Sequence, residues 1–520
     1  MTYLLLPGRQ IVTTRFQEEY LTSVLSQNLE TLPTITGTPP QGRATNIVFA
    51  VTSCNKSNSR YNPLPFEFRA ILAYEFARDL QQKFGVRFHI FGVPHYPVTQ
   101  KFAEIILKEI AEQSDGHLTL TPANTVVFTS TPAVIEDYQA LGFSILPGEY
   151  DLTEKKYIAP VPNAIVQQLG DGQLPLADIP LSRSARTVFT NFPDTVERIV
   201  RLFHDPILTE QGDLTETRNY GTYARDMAGA IDFKYAEILP FLHPGKIVDE
   251  GCADGALLER MVSDFPDSDL IGIDLSAEML ARAAERKRAG AFGGAFVFFK
   301  QQNLMTPVTE AQSNTTDTII CNSTLHELWS YGHGAETVRE YLKNKHKQLR
   351  TGGRLVVRDV VGPENGDQLV HLWCNPDNGE CTENVTDTDV AQLCTWSRFL
   401  RFVQDFRPGE PRLEYTRVQV QDGQTLFALT LRAGMEFIAK MDYTDNWQSE
   451  MHETFCFWDF PDWTRELADA SFTLVPGSHA YLNPWRVQHS FTGKVRLTTP
   501  DGQLLAFPAT NLVLAAEKPR

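Results

Sequence analysis

Residues 247–258 read IVDEGCADGALL. The segment KIVDE, 246–250, has the apolar centre of a short buried strand, and GALLERMVSDF, 255–265, places its apolar residues at helical spacing. The stretch therefore predicts a strand, a tight glycine turn and a helix. In a parallel α/β sheet such a turn lies at the carboxyl ends of the strands, where ligands bind. Gly251 and Gly255 carry no Cβ, so backbone at either position can approach a ligand closely.

The same rhythm continues downstream. Strand-like DLIGIDLS (269–276), FVFFKQQNL (296–304), TDTIICNST (316–324) and RLVVRDV (354–360) are separated by the helical segments 277–289 and 336–349. It breaks at 362–459, a stretch too long for plain connection, which we read as an inserted, partly helical lid or substrate domain. A helix at 462–472 and a strand at 510–518 then complete the pattern. Upstream, 46–147 alternates in the same way, with strands at 46–53, 87–93 and 124–130 and helices at 66–84, 99–113 and 132–142. Residues 148–185 are rich in Pro and Gly and read as irregular connection, followed by helices from about Asp194, including 195–203 and 220–242. The expected fold class is α/β with two Rossmann-like parallel-sheet domains, 1–185 and 186–520. The second has N-terminal helices over 186–244 and the insertion after its fifth strand.

Asp249, Gly251, Ala253 and Gly255 resemble the DxGxGxG-like first motif of class I S-adenosylmethionine-dependent methyltransferases, with Ala253 in place of the usual middle glycine. The order of later residues strengthens the resemblance. Asp274 ends the second strand 25 residues after Asp249, Asn303 follows the third, Asp317 opens the fourth, and LRTGGRLVVRD resembles the final turn and fifth strand. The resemblance covers about 240–361, with a tail at 460–520. It implies S-adenosylmethionine as cofactor, held by Asp249, Gly251, Cys252, Ala253, Gly255, Asp274, Leu275, Asn303, Leu304 and Asn322. Asp274 would take the ribose hydroxyls and Asn303 would contact adenine. Electrostatics agree: Asp249, Glu250 and Asp254 around the turn repel a dinucleotide pyrophosphate and tolerate a sulfonium and an ammonium.

The acceptor side starts at CNSTLHELWSYG, 321–332. His326 and Glu327 are the candidate catalytic pair, a general base and its neighbour, with Trp329 and Tyr331 as an aromatic wall against the sulfonium. The plainer expectation is that His326 and Trp329 pack a helix start onto the sheet. Arg358 and Asp359 read as an ion pair or as acceptor-positioning groups. His371, Cys374, Cys381 and Cys394 are separated by two, six and twelve residues, which matches no common zinc module, so no metal is expected. The NPW triplet at 483–485 lies too far downstream to be the NPPY-type motif of amino-methyltransferases.

The N-terminal part resembles an adenylyltransferase-type nucleotidyltransferase in the order of NIVFAVTSCNKSNS and the helix that follows, and in SRSAR, 182–186. Where that family has HxGH, this chain reads Asn62-Pro63-Leu64-Pro65-Phe66-Glu67 with no histidine. The resemblance implies a nucleotide-binding-like fold whose site is degenerate.

The net charge of −17 argues against a broad nucleic-acid surface. No apolar run approaches a membrane span, and the N-terminus MTYLLLPGRQ has no basic lead and too short an apolar core for a secretory signal. Seven cysteines without a CxxC pair fit reduced thiols and a cytoplasmic location. The functional expectation is methyl transfer from S-adenosylmethionine to oxygen or nitrogen of a small-molecule acceptor. The alternatives are a non-catalytic S-adenosylmethionine-binding scaffold or sensor and a bifunctional nucleotidyltransferase and methyltransferase. Sequence leaves the oligomeric state open.

Overall fold

The computed structural model describes every residue except 97–100, 206–230, 378, 408–409, 411, 420–424 and 520. The chain forms two units, Met1–Gly212 and Asp213–Arg520. The first part of the helix expected over 220–242 lies outside the described residues.

The first unit is built on a parallel sheet of β1 (Tyr3–Gly8), β2 (Asn46–Thr52), β3 (Arg87–Val93), β4 (Thr125–Phe128) and β5 (Ser144–Leu146), in the order β3-β2-β1-β4-β5. Its central strand comes from the first eight residues, so NIVFAVT is the second strand, not the first. Leu4, Leu5 and Leu6 are buried, as suits a strand covered on both faces. The segment 148–185 is more ordered than its composition suggests. It holds a small hairpin, β6 (Tyr150–Asp151) with β7 (Lys156–Tyr157), and a helix over Pro162–Asp171. The helices Arg183–Asn191 and Pro193–Phe203 pack with it through Val188, Phe189 and Ile199 against Ile11, Leu64, Leu72 and Ile165. They belong to the first unit, which moves the boundary beyond the expected 185.

The second unit carries β8 (Lys246–Glu250), β9 (Asp269–Asp274), β10 (Val297–Gln301), β11 (Thr316–Asn322) and β12 (Leu349–Val360). A second group of strands, β13 (Leu369–Cys374), β14 (Thr416–Gln419) and β15 (Thr425–Thr430), lies within the inserted stretch. After it come β16 (Thr473–Leu474), β17 (His479–Tyr481), β18 (Val495–Thr498), β19 (Leu504–Leu505) and β20 (Asn511–Glu517). The main sheet runs β10-β9-β8-β11-β12-β20-β16, with β17 also on β20. Pairs among β8–β12 are parallel and β20 is antiparallel. The strand order reverses between β8 and β11, and the glycine turn after β8 opens at that switch point.

The inserted stretch is a small domain with a sheet of its own, β14-β15-β13-β18-β19, all antiparallel. Two of its strands come from 495–505, beyond the expected end at 459. Its core includes Leu372, Phe399, Phe402, Phe427, Phe437 and Leu497. Cys381 and Cys394 form a disulfide, correcting the expectation that all thiols are free; a backbone bridge between Glu380 and Leu393 brings the two together. Cys374 is a free, buried thiol on β13, so the four-residue His/Cys set does not gather. No helix among the described residues is long and apolar enough to cross a membrane.

Candidate active site at the ends of the second unit's strands

The turn after β8 is held by the next strand: the N–H groups of Gly251 and Cys252 both donate to the Ile273 carbonyl, at 2.8 and 3.1 Å. Gly251 has φ +77° and a Cβ there would collide with Thr324, just past β11. The departure at Ala253 is now legible. This residue sits at φ +48°, the left-handed region that a glycine enters freely and an alanine does not. The Asp274 carboxylate anchors it, accepting the Ala253 N–H at 2.8 Å through Oδ2 and the Ser276 N–H at 2.8 Å through Oδ1.

Asp249 is almost fully buried, and its Oδ2 has no hydrogen-bond partner among the described residues. Burial, the nearby Asp274 and the adjoining Glu250 push its pKa up to about 8. An orphaned carboxyl beside a second carboxylate asks for a positive partner. That donor set fits the ammonium and sulfonium of S-adenosylmethionine and opposes a diphosphate. Cys252 is buried with its thiol pushed well up by burial and by Asp274, so it packs and does not act as a nucleophile.

Other expected donor residues gather at the same strand ends. Leu275 follows Asp274, and its carbonyl accepts the Gln301 side-chain amide at 2.9 Å. Asn303 turns its Oδ1 to the Met305 N–H at 2.9 Å. Leu304 is buried, and Asn322 ends β11 almost fully buried. A network missed in the sequence braces the turn from behind: Glu250 accepts from Lys345 and from the Tyr341 hydroxyl, both at 2.7 Å, and Lys345 also donates to the Leu304 carbonyl at 3.2 Å. Tyr341 and Lys345 lie four residues apart on one face of the helix Ala335–Gln348, and nothing local in the sequence points from them to Glu250.

The acceptor side differs from expectation. His326, in the helix Leu325–Tyr331, is buried between two carboxylates. Nδ1 lies 2.7 Å from Asp359 and Nε2 3.5 Å from Glu453 of the inserted domain. Burial alone would lower the imidazole pKa, but the charges and hydrogen bonds of Asp359 and Glu453 raise it well above its ordinary value. The two carboxylates favour the charged imidazolium over the neutral ring, which opposes the reading of His326 as a free base. Asp359 also accepts the N–H groups of Leu325 and Val360, both at 2.8 Å, so one carboxylate caps the helix and pairs the ring. Glu327 is buried beside them, with one possible ligand atom each from His326, Glu327 and Glu453 all within 4.8 Å of one another.

Trp329 stacks on Phe457 at 4.7 Å and meets Trp458 at 5.4 Å, while the Tyr331 hydroxyl donates to Glu453 at 3.4 Å. These rings fasten the inserted domain to the sheet instead of forming a free wall. Arg358 and Asp359 pair with other residues, not with each other. Arg358 binds Glu237 at 2.9 Å, the Tyr481 hydroxyl at 3.3 Å and the Ser323 hydroxyl at 3.4 Å. Lys234 is buried in the same charge cluster. Burial first, then Arg358, lowers its pKa to about 7 against the opposing pull of Asp359 and Glu237.

Residues 244–407 match the model of a family described as a methyltransferase domain. A trans-aconitate 2-methyltransferase of Rhodopseudomonas palustris (strain HaA2) is 46% identical over 48 residues, 9% of this chain and 19% of the relative. The enzyme of the same name from strain BisB5 is 31% identical over 134 residues, 26% of this chain and 44% of the relative. A malonyl-[acyl-carrier protein] O-methyltransferase of Dechloromonas aromatica (strain RCB) is 26% identical over 153 residues, 28% and 48% of the two chains. The chain spans less than half the length of each of these curated relatives. With the strand order above, the second unit contains an S-adenosylmethionine-dependent methyltransferase domain of class I.

Proposed function

We propose that this protein, through its methyltransferase domain, transfers the methyl group of S-adenosylmethionine to a carboxylate oxygen of a small organic acid. The observation that carries the acceptor class is the placement of His326 between the carboxylates of Asp359 and Glu453. An alcohol, phenol or ammonium acceptor must lose a proton before or during attack, and a His326 ring paired with two carboxylates that favour its charged form is poorly suited to take one. A carboxylate is already an anionic nucleophile at neutral pH, so alignment and water exclusion suffice. Lys234, on the helix before β8, and Arg358, near the end of β12, are buried together and supply the positive field that draws an acid in. The relatives named for trans-aconitate and for a malonyl group point the same way.

Bound S-adenosylmethionine supplies an electrophilic methyl on a sulfonium. Asp249 and Asp274 hold the cationic and ribose parts of that donor, Asn303 takes the adenine, and the glycine turn gives it room. Asp359 fixes the helix that carries His326, and Glu453 with Phe455 closes the inserted domain against that helix. Lys234 orients the acceptor carboxylate.

Incubating the full chain with methyl-labelled donor and a panel of dicarboxylic and tricarboxylic acids, phenols and amines tests this. Label should enter the acids and be released by alkali as methanol; alkali-stable label in a phenol or amine would overturn the acceptor class. Lys234→Met should raise the acceptor KM about tenfold or more, the scale of a charge-assisted hydrogen bond, and leave donor affinity unchanged. Because the acceptor binds the protonated amine, the wild-type KM should rise as pH passes above about 7, and the variant should lose that rise. A KM that ignores both pH and the substitution would remove Lys234 from the acceptor site.

A further inference from the structure

The first unit contains a carboxylate that no described group satisfies. Glu149 is fully buried, and neither side-chain oxygen has a hydrogen-bond partner among the described residues. It follows Gly148 just past β5, at the carboxyl edge of the parallel sheet β3-β2-β1-β4-β5. That edge is where open α/β sheets take their ligands. A buried carboxyl whose oxygens lack hydrogen-bond partners is unfavourable, and a chain gains nothing by keeping one for packing alone.

Its surroundings are aromatic. A Cβ at Gly148 would make a tight contact with the Phe128 ring, 3.0 Å from its nearest atoms. Phe128 packs on Tyr20 at 5.4 Å between centroids, and Tyr20 in turn stacks on Phe16 at 5.6 Å. The hairpin β6–β7 starts at the next residue. It pairs Tyr150 with Tyr157, their rings 5.2 Å apart, and the Ile158 N–H returns to the Glu149 carbonyl at 2.8 Å. Burial raises the phenol pKa of Tyr20 and of Tyr157, and the charge of Glu149 adds to both shifts, so the carboxylate is in electrostatic reach of the helix side and of the hairpin.

A buried negative charge flanked by aromatic rings is the recognition chemistry of alkylammonium groups. A divalent metal would need further oxygen or nitrogen ligands. Among the described residues the grouping with that geometry is His326, Glu327 and Glu453, in the other unit. We propose that the first unit binds a small organic cation bearing an alkylammonium group at Glu149, between Tyr20, Phe128, Tyr150 and Tyr157, with the hairpin 150–157 as its cover. The site is independent of the methyltransferase assignment.

Calorimetric titration of the full chain with tetramethylammonium and with choline tests it, with magnesium and potassium chloride as controls. Saturable binding of either organic cation is expected, weakened at least tenfold by Glu149→Gln. Tyr157→Ala, at a residue half exposed on the hairpin, should weaken it severalfold without loss of fold, and serves if the Glu149 variant does not fold. Hydrogen exchange across 150–158 should slow on addition of the cation. No saturable binding of either organic cation, equal binding by wild type and both variants, or binding of magnesium or potassium alone would each overturn the proposal.

Discussion

Asp359→Ala will destabilise the second unit by about 3–5 kcal/mol, the scale of removing one partner from a buried charge pair. Asp359 is completely buried, and the substitution strands the His326 ring and the N–H groups of Leu325 and Val360 together. Chemical denaturation of the full chain reads the loss, with His326→Gln as the companion variant. The pH dependence has two limbs. The folded pKa of His326 is raised, so its contribution is fully present below the unfolded value of about 6.5 and is lost as pH rises through the folded one. Burial would raise Asp359, but His326 and the backbone donors hold it below its ordinary value. Its contribution is present above about 3.9 and is lost as pH falls through the lower folded pKa. His326→Gln should therefore flatten the alkaline limb. An alkaline limb that persists in His326→Gln, or an Asp359→Ala variant as stable as wild type, would contradict the buried pair.

Asp274→Ala will weaken S-adenosylmethionine binding by about 1.5–3 kcal/mol through loss of a charge-assisted contact to the ribose. The same carboxylate fixes Ala253 in its left-handed conformation, so the substitution also loosens the turn that approaches the donor. Asp274→Asn separates the two effects: one amide oxygen keeps a backbone contact but carries no charge, and the loss should fall between wild type and Ala. Titration calorimetry with the donor and with S-adenosylhomocysteine gives both affinities. An unchanged isotherm for Asp274→Ala would place the donor elsewhere.

The donor side was readable because it is local. Strand, glycine turn and helix follow one another within 247–265, and the apolar alternation repeats through β12. The acceptor side is not local. His326 meets Asp359 33 residues on and Glu453 from an inserted domain, and neither contact leaves a trace in the pattern around 321–332. Reading His326 alone gave a free base; the two carboxylates that favour its charged form lie outside that local window. The first unit's central strand was missed for a different reason. Tyr3–Gly8 is buried on both faces and so shows a plain apolar run, without the alternation that marks a half-exposed strand. The inserted sheet was invisible because β13 pairs with β18 across more than a hundred residues that include several helices. Glu149 lay in a Pro- and Gly-rich stretch that composition alone assigns to connection.

The central claim is that the glycine turn, Asp249 and Asp274 form the donor site of a methyltransferase. A crystal structure of the full chain soaked with S-adenosylhomocysteine tests it most directly. The account predicts density at the carboxyl ends of β8, β9 and β11, with the ribose hydroxyls on Asp274 and the amino group on the Asp249 carboxylate. Density on the other edge of the sheet, or a turn at 251–255 left untouched by a ligand bound elsewhere, would contradict it.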